Sequence, residues 1–358
     1  MATFREGVVR RVVEELDDLV RVEVELPGGE SCEADGFPAM LGAVAPGDRV
    51  VVNTTGIELG LGTGGRGFLL WDLDGAPPDA PGPGHIVKMR YTPWQTNVLA
   101  AEEEASEHHD ALLRAESIDG MPVVACGLHS QVPAVAAGVR AERPGARIGY
   151  LMTDGGALPL AWSDLVRRAK AVGLVDVTAT AGHAFGGDLE TINVFSGLAA
   201  LRRSAHADVA IVAMGPGVVG TSTALGFTAI EQGQVLDAAT ALGGQAVACL
   251  RVSFADERPR HRGISHHTLT ALRVACRERA DVVVPALPET EDLLAQLGDL
   301  RGRHRVAVVD PAAGMELLRG TGLRLSSMGR PLEQVPETFA AAVAAGTHAA
   351  RLVPDSLG

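Results

Sequence analysis

The 358-residue chain is 46% hydrophobic, enough for two domains with sizeable cores, but only 4% aromatic, so those cores must be built from Ala, Val and Leu. A formal charge of −13 argues against a nucleic-acid backbone as the main partner, because that affinity comes from clustered Lys and Arg. No window approaches roughly 18 uninterrupted apolar residues and the first residues carry no apolar secretory core, so neither a membrane span nor a leader is expected and the sequence reads as cytoplasmic.

Residues 1–74 read as a β-rich, barrel-like domain. Val8-Val9 and Val12-Val13 flank a basic pair, and Val20, Val22 and Val24 alternate with Arg21, Glu23 and Glu25, a period of two with one polar face. Pro27-Gly28-Gly29-Glu30 is a turn, Pro46-Gly47-Asp48 introduces the strand Arg49 to Asn53, and Phe68 to Trp71 adds another. Short strands with closely spaced turns suggest a small barrel. The stretch 75–84 concentrates Pro and Gly and reads as a linker.

From 85 to 358 apolar runs of strand length alternate with Ala-rich helical stretches. The strands are Pro122 to Cys126, Arg147 to Met152, Val175 to Thr180, Asp208 to Met214, Ala246 to Val252, Asp281 to Pro285 and Arg305 to Val309. Helices are expected at Leu165 to Val172, Glu190 to Arg203, Thr221 to Leu242 and His267 to Arg277. Continuous apolar strands bounded by helices describe a mostly parallel sheet covered on both faces, so the fold class is α/β, doubly wound and Rossmann-like. Cys126 and Cys249 fall in apolar runs and read as small core residues; the four cysteines form no CxxC pair.

The unusual residues gather at the expected strand ends. Gly127-Leu128-His129-Ser130-Gln131 follows the first α/β strand, Thr153-Asp154-Gly155-Gly156 the second, the Gly-rich run Thr180 to Glu190 the third, Gly215 to Thr221 the fourth and Arg251 to Arg262 the fifth. In an open parallel sheet these ends share one edge, where such folds bind ligands. His129, Asp154, His183, Asp188 and Glu190 are the candidate catalytic cluster, for acid–base work or, with His266 and His267, for a divalent ion such as Zn, Mn or Fe. No HExxH motif is present, so whether a metal is bound stays open. The blander alternative has Asp188 capping a helix that begins at Leu189 and His183 satisfying loop backbone.

Gly215, Gly217, Gly220 and Thr221 form a G-x-G-x-x-G run placed to cradle an anion before a helix. Pro216 removes one N–H, and Arg251 ends the next strand where an NAD site wants an acid, so another phosphate or a carboxylate is favoured over a dinucleotide, with a purely structural turn the alternative. Lys88 and Lys170 are the only lysines. Lys88 and Arg90, in Lys88-Met89-Arg90-Tyr91-Thr92-Pro93-Trp94-Gln95, could clamp an anion, as could Arg251; the Arg258-Pro259-Arg260-His261-Arg262 run could steer one, with Ser265 capping the helix that follows. A serine-hydrolase elbow is rejected, because the positions flanking Ser130 are Leu128 and Val132 rather than small residues.

The runs Gly84 to Gln95, Thr180 to Glu190, Val212 to Thr221 and Arg262 to Thr268 resemble those of an uncharacterised bacterial family, domain-of-unknown-function family 3866, over nearly the whole chain. That resemblance implies no reaction, cofactor or catalytic residue. The residues themselves point to an enzyme acting on a small anionic metabolite, phosphorylated or nucleotide-like, rather than on nucleic acid or a membrane. A non-catalytic ligand sensor or scaffold is the alternative, and a homo-oligomer is left open.

Overall fold

A computed structural model describes residues 2–62, 64–76 and 84–354. The chain divides into two compact units, Met1–Val98 and Leu99–Gly358. The Pro/Gly linker expected at 75–84 falls largely outside the described residues.

In the first unit β1 (Phe4–Glu15), β2 (Val20–Glu25), β3 (Ser31–Gly36), β4 (Arg49–Asn53) and β5 (Gly67–Asp72) close into a barrel in the order β1-β2-β3-β5-β4. The alternation in the sequence is the reason: Val20, Val22 and Val24 point inward and are buried with Val50, Val52 and Leu69. Closure leaves no free strand edge to be covered. A short antiparallel hairpin of β6 (Ile86–Lys88) and β7 (Thr96–Val98) completes the unit, so residues 86–98 group with the barrel and not with the α/β sheet.

The second unit is an eight-stranded sheet, parallel throughout. Its strands are β8 (Pro122–Ala125), β9 (Ile148–Thr153), β10 (Val177–Thr180), β11 (Leu189–Glu190), β12 (Val209–Met214) and β13 (Gln245–Cys249). A two-stranded ribbon, β14 (Val252–Ser253) with β15 (Gly263–Ile264), then leads to β16 (Asp281–Pro285) and β17 (Arg305–Val309). Every residue of β9 and β12 is buried, as expected for strands covered on both faces. Helices Val132–Glu142, Asp164–Ala171, Ala312–Gly320 and Pro336–Leu352 pack on one face. Helices Val194–Arg203, Glu231–Ala241 and Thr290–Leu297 pack on the other. Each fully buried Val or Leu in these layers contributes about 1.5–3 kcal/mol. Cys126 and Cys249 are buried here, as their apolar context predicts.

The strand order β11-β10-β9-β12-β8-β13-β16-β17 locates the site. The chain steps outward from β8 through β9, β10 and β11, then returns to insert β12 between β9 and β8 before moving out the other way. That reversal opens a crevice at the C-terminal ends of β8, β9 and β12, where doubly wound sheets bind ligands. Among the described residues no helix is long and apolar enough to cross a membrane.

Two expected helices are shorter. Residues 189–190 form β11, and the helix after it is Val194–Arg203, capped by the Asn193 side chain, which accepts the N–H groups of Phe195 and Ser196. Residues 221–227 are loop, and the helix there is Glu231–Ala241. The Gly215 run therefore opens no helix directly.

Candidate functional site

At the crevice, His129 follows β8 and is buried. Its Nε2 lies 2.6 Å from Ser163 Oγ, while Nδ1 lies 3.1 Å from the Tyr150 hydroxyl and 3.3 Å from the Met214 carbonyl. The carbonyl can only accept, so the ring carries its proton on Nδ1 and Nε2 accepts from Ser163. Ser163 Oγ in turn caps helix Asp164–Ala171 by accepting Val166 N–H, and Tyr150 donates to the Ala213 carbonyl. Burial pulls the His129 pKa down to about 4. It is a neutral imidazole with every polar atom satisfied, a clamp joining the loops after β8, β9 and β12.

The β9 and β10 side is acidic. Asp154 Oδ2 accepts the backbone N–H of His183 at 3.0 Å. The close approach requires Gly182, whose φ is +66° and where a Cβ would stand 2.2 Å from Asp154 Oδ2. Glu231, first residue of its helix, accepts the Thr153 hydroxyl at 2.6 Å; burial raises its pKa to about 7, the nearby Asp154 charge adding to the shift against the hydrogen bond. A cleft of about 880 Å³ opens beside them, lined by Asp154, Asn193, Phe195, Glu231, Asp237 and Glu278 among others, with no Lys or Arg in its described lining. This side repels an anion.

Past β13 the composition inverts. Arg251 is buried where the strand ends. Its nearest acceptors are distant: His267 Nδ1 at 3.5 Å from Nη1, and Asp256 Oδ2 at 3.9 Å from Nη2. Asp256 is taken by Arg258, whose Nε and Nη2 grip the two carboxylate oxygens at 2.9 and 2.8 Å. Burial first, then the Arg258 charge, lowers the Arg251 pKa to about 10.

Beside Arg251 three imidazoles converge. The β14–β15 ribbon folds the chain back, so that His261, on the turn Pro259–His261, meets His266 and His267 at the start of the short helix His266–Thr270. Ring centroids stand 4.9, 4.9 and 4.4 Å apart. Ser265 caps the helix by accepting His267 N–H, as the sequence predicts, and its Oγ lies 2.7 Å from His261 Nδ1. Phe227 stacks on the His267 ring at 4.0 Å, within 1° of parallel. Burial is the first cause lowering all three imidazole pKa values, with neighbouring cations adding to it, so the rings are neutral at pH 7.

His129, Asp154, His183 and Gly217 follow β8, β9, β10 and β12 of one parallel sheet and share its C-terminal edge. The proposed cluster does not converge as a unit, however. Asp188 precedes β11 and accepts Thr178 N–H, the Thr178 hydroxyl and Lys170 Nζ, so it braces the edge strand instead of capping a helix. Glu190 accepts the Thr180 hydroxyl and Gly186 N–H, closing the same loop. Asp154 meets His183 through the backbone N–H of that residue. Gly215 is buried while Gly217, Gly220 and Thr221 are exposed, Thr221 accepting Thr223 N–H and pairing with Gly226. Lys88 and Arg90 belong to the first unit: Lys88 is buried in the β6–β7 hairpin, and exposed Arg90 reaches the Val87 carbonyl at 3.5 Å.

Sequence reasoning passed over Tyr150, Ser163, Phe227 and Glu231, and took His261 as part of a basic run. Glu231 was hidden inside an expected Thr221–Leu242 helix; its position as the first acidic residue of a helix behind a strand end was the available signal.

The sequence model of the family described as "Protein of unknown function (DUF3866)" matches residues 33–346. No curated protein and no solved structure matches the chain.

Proposed function

The chain belongs to the DUF3866 family, whose description names no activity, and from its strand-end geometry we propose that it is an enzyme acting on a small anionic metabolite, phosphorylated or nucleotide-like, held at Arg251. The observation that carries this reading is the Arg251 guanidinium, buried yet 3.5 Å or more from its nearest acceptors, with its one nearby carboxylate gripped by Arg258. A desolvated guanidinium presents a rigid fork of donors that suits a phosphate or carboxylate in two-point contact, and in a low-dielectric setting that contact is strong. Its place at the end of β13, beside the crevice, is where open parallel sheets take ligands. The neighbouring neutral imidazoles offer lone pairs for a proton or for a metal ion, chemistry that favours turnover over mere sensing. All four cysteines are free, which supports a reducing compartment, the cytoplasm.

The test is calorimetric titration with inorganic phosphate and nucleoside monophosphates, followed by turnover of a pooled phosphometabolite library. Arg251→Met keeps the apolar stem and removes the charge, and should weaken anion binding about 100-fold while abolishing turnover. Lys170→Met, on the acidic side, should leave both intact. Absence of binding across the panel, or equal binding by Arg251→Met, contradicts the reading.

A further inference from the structure

We propose that His261, His266 and His267 form a three-imidazole site for a divalent transition-metal ion of the zinc class. Among the described residues this is the one group of three or more His, Cys, Asp or Glu whose ligand atoms all lie within 4.8 Å of one another. Two imidazole nitrogens each about 2.0–2.1 Å from a tetrahedral ion stand about 3.4 Å apart, so the rings close by at most about 1.4 Å to bind.

Three further features point to a ligand and not to a packed histidine cluster. First, His266 Nε2 is buried with no hydrogen-bond partner. Leaving such an atom unpaired costs about 1–3 kcal/mol, and a metal ion at that nitrogen would satisfy it. Second, the 2.7 Å contact between His261 Nδ1 and Ser265 Oγ can take the Nδ1 proton, leaving the Nε2 lone pair for a metal. Metal-binding histidines are commonly held in this way through their other nitrogen. Third, the His267 ring is fixed by the parallel Phe227 face and lies so close to residue 220 that a Cβ there would meet Cε1 at 3.0 Å. Gly220 of the G-x-G-x-x-G run is thereby explained as the residue that lets the exposed loop lie over an imidazole.

Three neutral protein ligands leave the fourth tetrahedral position open, the arrangement of a reactive rather than a purely structural metal. The surrounding field is adverse to a bare cation, since Arg251, Arg258 and Arg260 all act on these rings. An anion as fourth ligand offsets that field. The metal site does not require the anion reading to hold, because binding of the ion alone is measured.

Tag-free protein is stripped with a chelator, then titrated with Zn²⁺ and with Co²⁺, recording bound metal and the visible absorption of Co²⁺. Wild type should take up about one equivalent with a tetrahedral cobalt spectrum. His266→Ala removes a half-buried ring whose Nε2 has no hydrogen-bond partner, so it should fold normally yet lose affinity at least about 100-fold. Arg251→Met, which tests anion binding, should still take up the ion. Wild type that binds no stoichiometric metal overturns the proposal. So does a His266→Ala variant that binds as tightly as wild type.

Discussion

The two halves of one sheet edge carry the same kinds of titratable residue and use them oppositely. On the β9–β11 side each carboxylate has hydrogen-bond work: Asp154 receives a loop N–H, Asp188 braces Thr178 and Lys170, and Glu190 closes its own loop. On the β13 side two buried groups are under-committed: Arg251 is far from its acceptors and His266 Nε2 is unpaired. A dense cluster of polar residues is thus no guide to function by itself. What separates the halves is whether buried polar atoms already have partners.

That contrast can be sharpened by pH. Glu231 has its pKa raised to about 7 from an ordinary value of 4.5, so between those values the folded state holds a proton that the unfolded chain has released. Its contribution is present below pH 4.5 and is lost as pH rises through 7. Glu231→Gln should therefore gain about 2–3 kcal/mol relative to wild type between pH 4.5 and pH 8, read by urea denaturation. His129 runs the other way: with its pKa lowered to about 4, stability present above pH 6.5 is lost as pH falls through 4, and His129→Gln should flatten that acid limb. Parallel pH curves for Glu231→Gln and wild type would show that Glu231 is not buried as described.

Smaller effects test the bracing roles. Asp188→Ala removes the acceptor for Thr178 and Lys170 on a partly exposed strand and should cost about 1 kcal/mol, without changing anion or metal affinity. Altered ligand binding would instead bring Asp188 back into the site. His183→Ala should be smaller still, within about 0.5 kcal/mol, because the substitution keeps the backbone N–H of residue 183 that ties the loop to Asp154. A large drop in melting temperature would contradict that.

Much of the fold was legible in the sequence. Short continuous apolar runs rich in Val and Ile, such as Asp208 to Met214, read as strands buried on both faces, and the Val20, Val22, Val24 alternation marks a barrel face. The Gly-rich loop from Gly215 was legible, but its continuation over residues 221–227 was not, because the spacing of apolar residues there also fits a helix. There Thr221 and Thr223 outcompete helix formation by bonding local backbone, Thr221 Oγ1 with Thr223 N–H and Thr223 Oγ1 with Gly226 N–H. The shared edge followed from the parallel sheet, and Arg251 from its place at a strand end. The partnership of His261 with His266 and His267 depends on the β14–β15 ribbon, whose strands of two residues each leave no periodic signal.

The most direct test of the account is a nitrogen-15 spectrum of histidine-labelled, tag-free protein, in which all 11 histidines report at once, recorded with stoichiometric Zn²⁺ and then with phosphate. The account predicts that the resonances of His261, His266 and His267 move while those of His129 and His183 stay in place. Shifts at His129 or His183 with the other three unmoved would contradict it.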